Sequence, residues 1–239
     1  MQINPYIENL DRIFFDVNWL LNRFGIFTWL ECGTLLGYVR EQDYLAWEYD
    51  IDLGADIGSL YLLKTHEFKS CADALGLKFV VQDASATFTF GGNVHLDINF
   101  YEKDEINYIM PRWKPKNRLG SILKLVHRVA SAPSYYSLNY AANKKNLMIQ
   151  LSKFFILLFS ARFIKWVTEK LLKYLQYYSP WRVPVQYFQG GFEVRKFRNV
   201  TINIPINSNA YLEYRYGPDW GTAKRDWDTE TQDATIFPL

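Results

Sequence analysis

Apolar residues recur at helical spacing from Pro5 to Phe24: Ile7, Leu10, Ile13, Phe14, Val17, Leu20, Leu21 and Phe24 make one stripe. Asn4-Pro5 suits a helix start and Gly25 a stop, so the pattern predicts a core-packing helix without chemistry of its own. Ile26 to Glu31 predicts a short apolar strand that feeds a small-residue turn at Cys32-Gly33-Thr34 and a short helix. The next strand carries Asp50 and Asp52. Residues at i and i+2 of a strand share a face, so the two carboxylates project together, away from Tyr49, Ile51 and Leu53. A helix is expected from about Gly58 to Leu75, ended by Gly76, then strands over Leu77 to Gln82 and Ala86 to Phe90 around a tight turn at Asp83-Ala84-Ser85. Val94 to Phe100 alternates strictly, with Val94, Leu96, Ile98 and Phe100 on one face and His95, Asp97 and Asn99 on the other.

The second half reads differently. Tyr108 to Lys116 is rich in Pro, Trp and Lys and reads as a loop; Asn117 to Ser131 reads as a basic helix with Leu119, Ile122, Leu123 and Val126 inward. Pro133 breaks it, and a short helix or loop holding Tyr135, Tyr136 and Tyr140 follows. Lys144 to Tyr178 repeats Leu, Phe and Trp at helical spacing, with lysines and arginines between them. Pro180 and Pro184 end the helical region. Val185 to Val194, with a turn or bulge at Gly190-Gly191, and Val200 to Ile204 read as strands. A short helix capped near Ser208 or Asn209 and stopped by Gly217-Pro218 precedes a polar, irregular tail that Trp227 would tack down.

The chain has 239 residues, 49% hydrophobic and 18% aromatic, which excludes a disordered segment and allows a full core. Its net charge is +2, yet the span from Ile106 to Phe192 holds fourteen Lys/Arg against Glu169 alone. That span carries +13 and the remainder −11. The basic part suits an anionic partner, such as nucleotide phosphates, a phosphorylated glycan carrier or a membrane surface; two oppositely charged lobes matching each other is the simpler alternative. Cys32 and Cys71 belong to no Cys/His cluster of zinc spacing and read as buried thiols. Met1 to Glu8 has neither the basic nor the apolar region of a signal peptide. No recognised nucleic-acid motif frames the basic residues, so no nucleic-acid partner is expected.

A membrane span needs about 20 nearly uninterrupted apolar residues. The longest charge-free apolar run of the Lys144–Tyr178 stretch, Phe154 to Ala161, has eight residues, so a span is rejected. Two readings remain: a core helix with a solvated basic face, or a basic aromatic helix lying in an anionic membrane interface.

Paired carboxylates on one strand face repel unless a cation lies between them, and a hard divalent ion, Mg²⁺ or Mn²⁺, suits oxygen ligands. Gly33-Thr34-Leu35-Leu36-Gly37, Arg40 and then Trp47 with Asp50-Ile51-Asp52 resemble the LicD/fukutin family, whose pattern runs roughly G-T-L-L-G-x-x-R, six residues, then W-D-D-D-I-D. Glu48 and Tyr49 stand where that pattern has aspartates. Pro205, Tyr211, Leu212, Tyr216, Gly217 and Trp220 are similar to the family's C-terminal signature. The two ends of the chain thus match in order, with a weaker middle.

The resemblance implies an α+β fold: a nucleotidyltransferase-like mixed sheet flanked by helices, with a helical, basic insertion and a small C-terminal α/β portion. Residues 1–110 would be the catalytic core, 111–184 the basic helical region, and 185–239 the strands and short helix completing the fold. It implies a third carboxylate on a later strand, for which Asp97 is the candidate; periodicity alone also allows an edge strand with a wet polar face. Asp50, Asp52 and Asp97 would be the catalytic and metal-binding residues. Backbone N–H groups at Gly33 and Thr34, the Thr34 hydroxyl and the Arg40 fork would bind phosphate; an ion pair of Arg40 with Glu41 or Asp43 is the plainer alternative. The implied reaction moves phosphocholine or a polyol phosphate from a CDP-linked donor to a hydroxyl of a cell-surface glycan or its lipid-linked precursor, releasing CMP. Fukutin-type members carry an N-terminal anchor; its absence here implies a cytoplasmic enzyme, peripheral at the inner membrane face if the basic helix binds lipid. Two rivals remain: a nucleotidyltransferase using NTP and a non-catalytic nucleotide-binding module.

Overall fold

The structure is a computed structural model and describes residues 4–90, 94–131, 144–224 and 227–236. In chain order, α1 (Ile7–Arg23), β1 (Thr28–Leu30), α2 (Cys32–Glu41) and β2 (Asp50–Asp56) come first. Then follow α3 (His66–Ala74), β3 (Lys78–Gln82), β4 (Ser85–Thr89), β5 (His95–Lys103), β6 (Asn107–Met110) and β7 (Trp113–Pro115). Helices α4 (Arg118–Ser131), α5 (Lys144–Phe159) and α6 (Ala161–Leu175) form the helical region. The chain ends in β8 (Gln176–Tyr178), β9 (Trp181–Pro184), β10 (Phe192–Phe197), β11 (Val200–Pro205), α7 (Ser208–Tyr216) and α8 (Thr229–Gln232).

Among the described residues nine strands form one mixed sheet, ordered β10-β11-β1-β2-β5-β4-β3, with β6 pairing β5 and β9. The β1–β11 and β2–β5 pairs are parallel. The apolar stripe of α1 is buried through Leu10, Ile13, Phe14, Val17, Leu20 and Leu21, and it packs on β2, β4, β5 and β11. One face of β2 and β5 meets the core through Ile51, Leu53, Leu96, Ile98 and Phe100, all fully buried. The period of 2 therefore turns Asp50, Asp52, His95, Asp97 and Asn99 to the opposite face. The strands expected near the C-terminus complete this sheet: β11 lies beside β1, with Trp29 opposite Asn203. Across β1 and β2, Trp29 sits opposite Gly54, where a Cβ would come within 2.2 Å of the indole.

Several elements differ from the pattern-based expectation. The helix expected from Gly58 to Leu75 is two 3₁₀ turns followed by α3, because Thr65 takes an extended backbone and its hydroxyl caps the Phe68 N–H at 3.2 Å. The loop expected over Tyr108 to Lys116 contains strands, since β6 is held by β5 and β9, and β7 by β8. The stretch Lys144 to Tyr178 is two helices and a strand, broken at Ser160 with φ 64, whose hydroxyl accepts the Phe163 N–H at 3.3 Å. Val185–Phe188 is a 3₁₀ turn rather than strand, and Gly190 and Gly191, with φ 91 and 82, turn the chain into β10. The break at Pro133 and the segment with Tyr135, Tyr136 and Tyr140 lie outside the described residues.

A buried ionic network joins the two ends of the chain. Glu31, directly after β1, receives hydrogen bonds from the hydroxyls of Tyr101 and Tyr211, the latter at 3.1 Å, and from the Asn99 amide at 3.4 Å. The Arg215 guanidinium lies 3.7 Å from Glu31 and 2.7 Å from Asp233, and donates to the Tyr211 hydroxyl at 2.9 Å. It also sits over the Trp181 ring, 4.9 Å from its centroid. The tail after Gly221 is thus not simply irregular: Asp233 is buried, accepts from the Thr235 N–H and hydroxyl, and locks α8 onto α7. Removing one member of a buried ion pair strands the other charges. Arg215→Met should therefore lower stability in urea unfolding by about 3–5 kcal/mol; an unchanged midpoint would show that the network is not structural.

Candidate active site

The parallel register of β2 and β5 places Asp50 opposite His95 and Asp52 opposite Asp97. His95 Nε2 stands 3.7 Å from an Asp50 carboxylate oxygen and 3.6 Å from one of Asp97. Ligand atoms of Asp50, His95 and Asp97 all lie within 4.8 Å of one another, somewhat wider than the roughly 4.2 Å that separates trans donors on one ion with bonds of about 2.1 Å, so a small side-chain adjustment would close the site on an ion. Asp52 lies outside this tight trio. Its backbone N–H donates to the Thr34 hydroxyl at 2.8 Å, which ties β2 to the start of α2.

Burial lifts the Asp50 and Asp97 carboxyls above the usual carboxylate range, with His95 opposing the shift in both. Asp52 is pushed well above that range by burial and then by the charges of Asp50 and Asp97. One Asp97 oxygen is buried without a hydrogen-bond partner among the described residues. Crowded, desolvated carboxylates with an orphaned oxygen fit a divalent cation.

A cavity of about 490 Å³ opens beside the carboxylates, lined by Gly33, Arg40, Trp47, Glu48, Asp50 and Asp52 from the first half of the chain. Trp181, Arg215, Tyr216, Trp220, Lys224 and Trp227 close it from the second half. Thr34 is not among the lining residues; it is 1% exposed, so its hydroxyl positions Asp52 instead of facing the cavity. The N–H groups of Gly33 and Thr34 belong to the first turn of α2, where no intrahelical acceptor exists. Arg40 meets the cavity and also pairs with Glu41 at 3.0 Å, while donating to the Trp220 carbonyl at 3.3 Å. The plainer reading of Arg40, an ion pair with Glu41, is thus present, and the same side chain also lines the cavity.

The two departures at the rim have definite places. Glu48 lies against Gly33, where a Cβ would sit 1.8 Å from its carboxylate, and burial followed by Asp50 pushes its carboxyl up to about 8. The Asn4 amide fixes this loop by donating to the carbonyls of Leu45 and Glu48 at 2.8 and 2.7 Å. Tyr49 lies against the His95 ring, with centroids 5.5 Å apart, and forms part of the cavity wall. Gly33→Ala should expel the Glu48 side chain and change the cavity mouth; a crystal structure of the variant with Glu48 unmoved would contradict this packing.

Strand alternation puts His95 on the polar face beside Asp97, and the i, i+2 spacing of the two is the signal in the sequence that they share a site. Glu31, Arg215 and Asp233 carry no motif, and only the folded chain brings them together.

Residues 25–119 match the family model described as LicD/FKTN/FKRP, nucleotidyltransferase domain. Over 98 residues the chain is 31% identical to ribitol 5-phosphate transferase FKRP of Mus musculus, covering 39% of this chain and 20% of that protein. It is 32% identical over 97 residues to ribitol 5-phosphate transferase FKRP of Homo sapiens, covering 36% of this chain and 19% of that protein. The match thus spans about a fifth of the length of these curated relatives. The solution structure of the antibiotic-resistance factor ANT(2'')-Ia overlaps 69% of this chain and 93% of its own, at 11% identity and a TM-score of 0.32, too loosely to bear on the chemistry. The matched stretch, residues 25–119, holds Gly33, Arg40, Asp50, Asp52, His95 and Asp97, so the part of the chain that is similar to the LicD/FKTN/FKRP nucleotidyltransferase domain is the part that carries the candidate site.

Proposed function

We propose that this chain is a metal-dependent transferase that moves a phosphate-linked alcohol from a CDP-linked donor to a hydroxyl of a glycan or its lipid-linked precursor, with release of CMP. The observation that carries the reading is the β2–β5 register, which sets Asp50 opposite His95 and Asp52 opposite Asp97, with Asp50 and Asp52 lining the cavity. The matched relatives are named as ribitol 5-phosphate transferases, which favours a polyol phosphate over phosphocholine as the transferred group.

Asp50, His95 and Asp97 would hold Mg²⁺ or Mn²⁺, and the imidazole tilts the choice toward Mn²⁺. The bound ion supplies charge neutralisation at the phosphate oxygens. The N–H groups opening α2 and the Arg40 guanidinium orient the donor pyrophosphate. Asp52, facing the cavity, takes the proton of the acceptor hydroxyl. The acceptor oxygen forms a bond to the β-phosphorus, the bond from that phosphorus to the bridging oxygen breaks, and the bridging oxygen leaves with CMP. The aromatic wall of Trp47, Trp220 and Trp227 excludes water and stacks on the base or the acceptor.

The test is product analysis by mass spectrometry with Mn²⁺ or Mg²⁺ and, separately, CDP-ribitol, CDP-glycerol, CDP-choline, CTP and ATP. Release of CMP from one CDP-linked donor, reduced about 10²–10⁴-fold in Asp52→Asn, is expected. Pyrophosphate from CTP or ATP would replace this reading with nucleotidyl transfer. Nucleotide binding without turnover in the presence of glycan acceptors would favour a binding module.

A further inference from the structure

We infer that α5 and α6 form a ridge that docks on an anionic lipid bilayer surface. Leu157 is 85% exposed, Tyr174 77%, Leu158 59%, Trp166 58%, Phe159 51% and Phe163 48%. Scattered apolar residues are ordinary on a surface, but a contiguous patch of large ones marks an interaction site. This patch is contiguous: the rings of Phe159 and Phe163 lie 6.1 Å apart, and those of Phe163 and Trp166 6.3 Å apart. It runs across the break at Ser160, whose positive φ ends α5 and whose hydroxyl starts α6.

Among the described residues, packing on the rest of the fold does not use this face. Thr168 and Leu172 are the buried positions of α6, with the Thr168 hydroxyl 2.9 Å from His127 Nδ1 of α4. Phe163, Trp166, Lys170 and Tyr174 follow one another at helical spacing on a separate side. Side chains as exposed as Leu157 and Tyr174 are not held in a groove of this fold, which suits insertion into a soft, flat acceptor better than capture of a groove-seeking peptide.

Charge selects the occupant. Arg162 and Lys170 accompany the exposed aromatics of α6, whereas Lys165, Lys173 and Glu169 line a second cavity against α4, and α5 has no acidic residue. Pairing two such ridges would set like charges against each other, whereas an anionic lipid surface attracts each lysine or arginine by about 1 kcal/mol. Among the described residues no helix is long and apolar enough to cross a membrane, so the ridge lies on the surface. None of these side chains lines the cavity beside Asp50 and Asp52. The inference therefore stands or falls apart from the transfer reaction.

The experiment is vesicle flotation of the whole chain with equal parts phosphatidylglycerol and phosphatidylcholine, and with phosphatidylcholine alone. Wild type should float with the anionic vesicles and release at high salt. Leu157→Asp/Phe163→Asp and, separately, Arg162→Glu/Lys170→Glu should each lower the bound fraction at least tenfold while keeping the wild-type circular dichroism spectrum. Wild type remaining at the bottom with anionic vesicles would overturn the inference. So would folded variants that float as wild type does, or a wild-type dimer that Leu157→Asp/Phe163→Asp converts to monomer.

Discussion

The parallel pairing of β2 with β5 is the constraint on which the rest of this structure depends. It sets Asp50 beside His95 and Asp52 beside Asp97, and a slip of one residue would send every carboxylate into the core. The apolar set on the reverse face, Ile51, Leu53, Leu96, Ile98 and Phe100, prevents that slip because it has nowhere else to bury. Burial of α1 against that face thus stabilises the side that carries the charges. The arrangement concentrates negative charge in a desolvated corner, which the imidazole of His95 relieves only in part.

The second organising element is ionic. Glu31 follows β1 and precedes the helix that opens at Cys32, so whatever fixes Glu31 fixes the first turn of α2. Arg215 from α7 and Asp233 from the tail do this from the far end of the chain. The aromatic residues of the C-terminal segment divide the work. Tyr211 is fully buried and bonds Glu31, whereas Tyr216, Trp220 and Trp227 wall the cavity. The distant C-terminal segment is therefore part of the same site as the glycine turn, although the family match ends at residue 119.

Much of this was legible in the residues. Period 2 placed Asp50 with Asp52, and His95 with Asp97 and Asn99, before any register was known. The stripe of α1 gave its buried face residue by residue. Pairing partners were not legible, because β6, β7 and β8 are strands only by virtue of distant neighbours. The Glu31–Tyr211 bond spans 180 residues of sequence and leaves no local periodicity. Ser160 reads as an ordinary polar residue within an apolar run; its left-handed backbone appears only in the fold. Thr34 was expected to face phosphate, yet its hydroxyl serves Asp52, a choice that spacing cannot reveal.

The central claim is that Asp50, His95 and Asp97 form one divalent-cation site. Its most direct test is pulsed EPR of Mn²⁺ titrated into the purified protein, which reads binding and ligand nitrogen without requiring turnover. The expected result is a single saturable Mn²⁺ site with nitrogen coupling that vanishes in His95→Gln, and loss of binding in Asp50→Asn/Asp97→Asn. Absence of saturable binding, or nitrogen coupling that survives His95→Gln, would contradict it.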